Sequence, residues 1–129
     1  MSEVPENNHF SRIGGEAGVR RLVDRFYDLM SELPEASAVR GLHPPTLDSS
    51  RDKLYWFLCG WLGGPQHFVE RFGHPRLRAR HLPFPISTVE RDQWMLCMRR
   101  ALDDTVEDGL LREVLAGSLA KVADHMMNR

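Results

Sequence analysis

Apolar positions recur at spacings of three and four along most of this chain. Val19, Leu22, Val23, Phe26, Tyr27 and Met30 form one such stripe just after Gly15, which predicts a helix with one buried face. Leu54, Phe57, Leu58, Trp61 and Leu62 form a second, and Gly63-Gly64-Pro65 ends it sharply. Phe68, Val69 and Phe72 mark a further short helix. Trp94, Cys97, Met98, Ala101, Leu102 and Thr105 make another stripe, opened by the capping-box sequence Ser87-Thr88-Val89-Glu90. Asp108-Gly109 breaks that helix, and Leu111, Val114, Leu115, Leu119, Val122 and Met126 define the last. No segment alternates apolar and polar residues with β-branched enrichment, so the chain is expected to be all-α.

The gaps between stripes are equally informative. Residues 34–45 contain three prolines and Gly41, which predicts loop and short turns. The pairs Gly14-Gly15 and Gly63-Gly64 suit sharp corners between crossing helices, because glycine tolerates positive φ and close backbone approach. Residues 1–9 read as a polar, loosely attached tail. Residues 10–129 then form one domain.

Composition narrows the function classes. Of 129 residues, 42% are hydrophobic, and 17 Lys and Arg face 18 Asp and Glu for a net charge of -1. Such balance gives no overall pull toward nucleic acid or an anionic membrane, and no apolar run is long enough to span a bilayer. The N-terminus lacks the basic start and apolar middle of a secretory signal, so the expected location is cytoplasmic. Cys59 and Cys97 both fall on apolar helical positions, as buried, reduced and inert cysteines do. No Cys-x-x-Cys-His occurs, which excludes covalent c-type haem attachment.

The candidate chemistry centres on Gly73-His74-Pro75-Arg76-Leu77-Arg78-Ala79-Arg80-His81, followed by Leu82-Pro83-Phe84. One imidazole among apolar residues and arginines suits a protein that holds a single iron through a single histidine. The cations would pair with the acidic edge of a bound macrocycle. Pro75 fits the first turn of a short helix. On that helix Leu77 shares a face with His81. A metal-ligating imidazole donates its other N–H to a carbonyl or carboxylate, and the carbonyl one turn earlier is placed to accept it. A core histidine is the ordinary alternative. A zinc site from His74 and His81 lacks further ligands at suitable spacing. The two-residue spacing of Arg76, Arg78 and Arg80 scatters them around a helix, which argues against a nucleic-acid stripe. Arg76 and Arg78 read as solvated surface, and Arg80 as a rim cation for a carboxylate. Tyr27 and Trp94 read as core aromatics, each with one polar hydrogen that needs a partner when buried. Aimed into an apolar pocket, both would stabilise charge developing on a small ligand. His9, His67 and His125 are expected at the surface.

These residues resemble the group II truncated haemoglobins over nearly the whole chain. The matching pieces are Ile13-Gly14-Gly15, Arg25-Phe26-Tyr27, Phe57-Leu58 with Gly63-Gly64-Pro65, the His81 segment with Pro83-Phe84, and Glu90-Arg91-Asp92-Gln93-Trp94. The resemblance implies a two-over-two helical sandwich around one haem b. It implies that His81 is the proximal iron ligand and that Tyr27 and Trp94 are distal hydrogen-bond donors. Leu54, Phe57 and Leu58 would line the distal side. Leu77, Phe84, Ile86 and Met98 would pack near the haem, and Lys53 and Arg80 match positions that meet propionates. His43 falls where the family often has Tyr or Phe, and is open to donating to the ligand, bridging through water or approaching the iron. Ser50 falls where larger globins carry a distal histidine, which empties that role and widens access.

The function so implied is binding of dioxygen, nitric oxide and other small ligands at the iron. Several donors would slow ligand escape, which suits bulk oxygen transport poorly. It suits redox chemistry on the ligand, such as nitric oxide dioxygenase-like or peroxidase-like activity with an unidentified reductase. A haem-based ligand or redox sensor without turnover is the alternative, and a haem-free helical interaction protein ranks below it. Either a monomer or a homodimer is compatible with the pattern.

Overall fold

A computed structural model describes residues 8–129, and among these there are helices and no strands. The elements are α1 (His9–Ile13), α2 (Gly15–Glu32), a 3-10 turn at Pro34–Ala36, α3 (Ser37–Arg40), α4 (Asp48–Trp61), α5 (His67–Phe72), α6 (Leu77–His81), α7 (Thr88–Thr105) and α8 (Gly109–Met126). The expected polar tail is shorter by at least His9, which opens α1. Residues 1–7 lie outside the described residues.

The four long helices pair as the stripes require. α2 packs on both α4 and α7, and α7 packs on α8, so two helices lie over two others. The shared interior holds Val19, Leu22, Val23 and Phe26 of α2 against Met98, Ala101 and Leu102 of α7, all at 1% exposure or less. Burying a side chain the size of Phe26 contributes about 1.5–3 kcal/mol, and truncating it to alanine costs about 3–5 kcal/mol once the cavity is counted. Val114 departs from its stripe. It is 40% exposed, because α8 meets α7 along a narrower strip than its apolar residues span.

Local signals set the helix ends. Ser87 caps α7, its hydroxyl accepting from the Val89 N–H while Glu90 Oε1 accepts from the Ser87 N–H at 2.8 Å. Asp108 caps α8 by accepting from the Leu111 N–H at 3.0 Å. At the α1–α2 corner Gly14 takes φ 105°, a conformation side chains rarely adopt. At the end of α4 a Cβ on Gly64 would stand 2.5 Å from the Phe10 ring, so close approach of α1 demands glycine there. Cys59 and Cys97 are buried free thiols. Burial pushes Cys97 up to about 11, so it stays a thiol.

Short elements connect the long ones on one side of this sandwich. Pro75 is not in the first turn of α6. Arg76 takes φ 47° in the left-handed region and caps the helix, which starts at Leu77. No helix continues backward through a left-handed residue, so Pro75 precedes it.

Candidate functional site

A cavity of about 580 Å³ lies between the short elements and the long helices. That is within the usual range of small-molecule sites, about 300–1,000 Å³. α4 supplies one wall through Ser49, Ser50, Lys53, Leu54, Phe57 and Leu58. α2 and α7 contribute Tyr27 and Trp94, and the turn after α3 contributes His43. α6 and the loop after it contribute Leu77, Arg80, His81, Phe84 and Ile86. The structure therefore brings together every sequence-derived candidate except Met98. That side chain is fully buried in the helix core and does not line the cavity.

The residues that sequence reasoning missed come mostly from elements distant along the chain. Phe68 and Phe72 of α5, Val39 of α3, and Leu119, Val122, Ala123 and Met126 of α8 complete the apolar lining. The α8 residues share their stripe with core positions, so periodicity had no way to separate them.

His81 is held for ligation. Its Nδ1 lies 2.6 Å from the Leu77 carbonyl oxygen. A carbonyl only accepts, so Nδ1 carries the proton and Nε2 keeps its lone pair. The C-terminus fixes this segment from outside. The Asn128 amide donates to the carbonyls of His81 at 3.2 Å and Phe84 at 2.8 Å, and accepts from the Ile86 N–H at 3.0 Å. Arg78 donates to the carbonyls of His125 at 2.7 Å and Met127 at 3.0 Å. It is therefore engaged with the chain end rather than simply solvated.

Tyr27 and Trp94 are two donors with unspent hydrogens. Tyr27 is 5% exposed and Trp94 is half-buried, and both line the cavity. Among the described residues neither the Tyr27 hydroxyl nor the Trp94 indole N–H has a protein hydrogen-bond partner. Such groups are rare unless a ligand or water completes them. Phe26 orders the pair. Its ring meets Tyr27 edge-on at 4.8 Å and Trp94 at 5.1 Å. Burial raises the Tyr27 phenol well above its ordinary 10.0, so the O–H stays protonated. The Arg51 guanidinium sits 5.9 Å from the Tyr27 ring and forks onto Asp24 at 3.2 Å and Asp28 at 2.8 Å. It thereby ties α4 to the helix that carries Tyr27.

His43 closes the same side. Its ring meets Tyr27 edge-on at 5.7 Å, and its Nδ1 lies 2.9 Å from the Val39 carbonyl oxygen. The Val39 N–H in turn donates to Gln93 Oε1 at 2.9 Å, next to Trp94. Nδ1 therefore holds the proton, and the neutral ring offers a lone pair at Nε2. Burial is the main cause that keeps His43 below its usual 6.5, aided by nearby Arg40 and His81 and opposed by the Val39 bond. A neutral His43 accepts rather than donates. As pH falls through its lowered pKa, Nε2 gains a proton and becomes a donor. Dissociation of a polar ligand is thus expected to slow several-fold as pH is taken down from 6.5 through that lowered pKa. Stopped-flow rates at intact Soret absorbance would show this in the wild type and a flat profile in His43→Phe. A pH step that survives in His43→Phe assigns it elsewhere.

The chemistry of the donor set fits a haem. His81 Nε2 is free for iron, the lining is largely apolar, and Lys53 and Arg80 stand at the rim without a carboxylate partner among the described residues. Among those residues no three His, Cys, Asp or Glu side chains converge to hold a bare ion.

Comparison with known proteins agrees with this geometry. The family model for bacterial-like globins matches residues 8–128. The group 2 truncated hemoglobin YjbI of Bacillus subtilis is 41% identical over 115 residues, covering 89% of this chain and 85% of that protein. The chain belongs to the group II truncated haemoglobins. The group II 2-on-2 hemoglobin of Agrobacterium tumefaciens superimposes with TM-score 0.92 at 48% identity, covering 99% of this chain and 98% of that one. A truncated oxygen-avid haemoglobin from Bacillus subtilis gives TM-score 0.86 at 40% identity, covering 95% and 100%. Haem-based binding of small diatomic ligands is the activity of such a globin. Among the described residues no helix is long and apolar enough to cross a membrane.

Proposed function

We propose that this globin binds dioxygen and nitric oxide at a haem b held by His81, and supports redox chemistry on the ligand rather than bulk transport. Haem b, when bound, supplies an iron that takes diatomic ligands and exchanges single electrons. The chain supplies the rest. His81 Nε2 holds the iron, and Lys53 and Arg80 pair with propionates. Leu54, Phe57, Leu58, Leu77, Phe84 and Ile86 exclude water.

The observation that carries this reading is the pair of unspent donors, Tyr27 O–H and Trp94 N–H, in one apolar cavity with a free imidazole nitrogen. Both hydrogens stabilise negative charge building on a ligand, and in a dry site each is worth more than in water. A ligand so held leaves slowly, which suits chemistry in place. The oxygen-avid relative from Bacillus subtilis supports slow release here. Nitric oxide and dioxygen with one electron balance to nitrate, and the electron must come from a reductase. Two reduced thiols suit the cytoplasm.

The test is reconstitution with haem, then nitric oxide under air with a chemical reductant. Sustained consumption with one nitrate per nitric oxide is expected. Consumption that stops after one equivalent, with ligand and reductant still present, leaves a sensor or binding module and overturns the proposal.

A further inference from the structure

The segment from His67 to Leu82 is charged out of proportion to the chain. It carries Arg71, Arg76, Arg78 and Arg80 against Glu70 alone, a surplus of three on a chain of net charge -1. Elsewhere most arginines are matched. Arg12, Arg20, Arg25, Arg51, Arg91 and Arg112 each reach an aspartate and Arg99 reaches Glu113, while Arg21, Arg40, Arg100 and Arg129 meet no carboxylate among the described residues. Among the described residues none of the four in this segment meets a carboxylate.

Neutral partners hold three of them in place. Arg71 donates to the His67 carbonyl at 3.1 Å and lies 4.3 Å from the Trp56 ring centroid. Arg78 is held by the C-terminal carbonyls. Arg80 donates to the Pro75 carbonyl at 2.5 Å and covers the Phe68 ring at 5.3 Å. The Arg76 side chain has no partner among the described residues. Carbonyls and ring faces orient a guanidinium without cancelling its charge. One rim cation, Arg80, is assigned to a propionate above. Arg71, Arg76 and Arg78 remain.

Apolar surface lies in the same strip. Val69 is 41% exposed and Leu82 is 52% exposed, and neither lines the cavity. Cations alone would suit a small anion. Uncompensated cations interleaved with exposed aliphatic side chains suit a protein surface, where charge steers approach and the apolar part is buried on contact. The strip borders the cavity through Phe68, Phe72 and Arg80, so a partner seated on it sits beside the bound group.

We propose that this strip docks an acidic one-electron carrier protein of the flavin class. The proposal rests on the redox reading above. One electron would leave the anionic flavin hydroquinone, which would become the neutral semiquinone, and would reduce the iron of a haem held by His81 from ferric to ferrous.

The experiment uses the haem-loaded, CO-bound protein titrated by calorimetry with a bacterial flavodoxin, an acidic flavin protein. Binding is expected to weaken about tenfold or more between roughly 20 mM and 200 mM salt. Arg71→Glu with Arg76→Glu should weaken it about tenfold or more at low salt, and Leu82→Ser several-fold. Reduction of the ferric protein by flavodoxin hydroquinone should slow in parallel, while reduction by dithionite stays unchanged in all variants. Wild type that ignores flavodoxin, variants that bind as wild type, or binding to anionic lipid vesicles alone would each overturn the proposal. A protein that turns over with ascorbate and a redox mediator under air yet ignores flavodoxin loses this surface and keeps the redox reading. One that binds flavodoxin but never turns over keeps the surface and loses that reading.

Discussion

His81→Ala is expected to lose the histidine-ligated CO spectrum and to retain haem at least about a hundredfold more weakly than wild type. Removing a partner that merely orients a metal ligand costs about 10–100-fold in affinity, so removing the ligand itself must cost more. The geometry leaves no substitute on the same element. Nδ1 is committed to the Leu77 carbonyl at 2.6 Å, and Nε2 is the one nitrogen of this imidazole with a free lone pair. Added imidazole should restore a histidine-like spectrum, because the space vacated matches it. The fold should persist, since His81 is half-exposed and outside the main core. The check is absorbance of ferric, ferrous and CO forms, with far-ultraviolet circular dichroism of the apoprotein. A mutant with an unchanged CO spectrum would remove His81 from the iron.

Trp94→Phe and Tyr27→Phe should each speed oxygen dissociation about ten- to a hundredfold. A hydrogen bond to a charged group contributes about 1.5–3 kcal/mol, and each 1.4 kcal/mol is a factor of ten. Both substitutions keep an aromatic ring against Phe26, so the edge-on contacts at 4.8 Å and 5.1 Å survive in kind. What changes is one hydrogen. The double mutant should show less than the product of the two effects, because both donors share Phe26 and one ligand. Stopped-flow displacement of oxygen by CO measures all three. Unchanged off-rates in either single mutant would take that residue out of the distal role.

The proximal and distal halves differ in how they were readable. The bond from His81 to Leu77 spans one helical turn, so a single sequence spacing implied it. Tyr27 and Trp94 were visible as aromatics on stripes, yet nothing local showed that their hydrogens are unspent. The chain-end clamp was invisible. Asn128 grips the carbonyls of His81 and Phe84 across 47 and 44 residues, and no periodicity reports on such a separation. Gln93 is similar. Its amide oxygen accepts from the Val39 N–H 54 residues away, on the residue whose carbonyl sets the tautomer of His43.

Met98 and Pro75 are two departures from expectation. The family resemblance implies Met98 near the haem, but its side chain is fully buried in the helix core, while Trp94 one turn earlier lines the cavity. Pro75 has the right chemistry for a first turn, but left-handed Arg76 starts the helix after it.

The sequence by itself determined the helices, their capped ends, the Gly14 corner and the candidate iron ligand. Each depends on residues within about one turn of one another, where backbone geometry alone decides who can meet. Tertiary structure alone decided which stripe residues face the cavity, which cations go unmatched, and which distant side chains hold His81 and His43 in register. Those depend on how whole helices cross, and a helix crossing is settled by the summed packing of both faces rather than by any short stretch of chain.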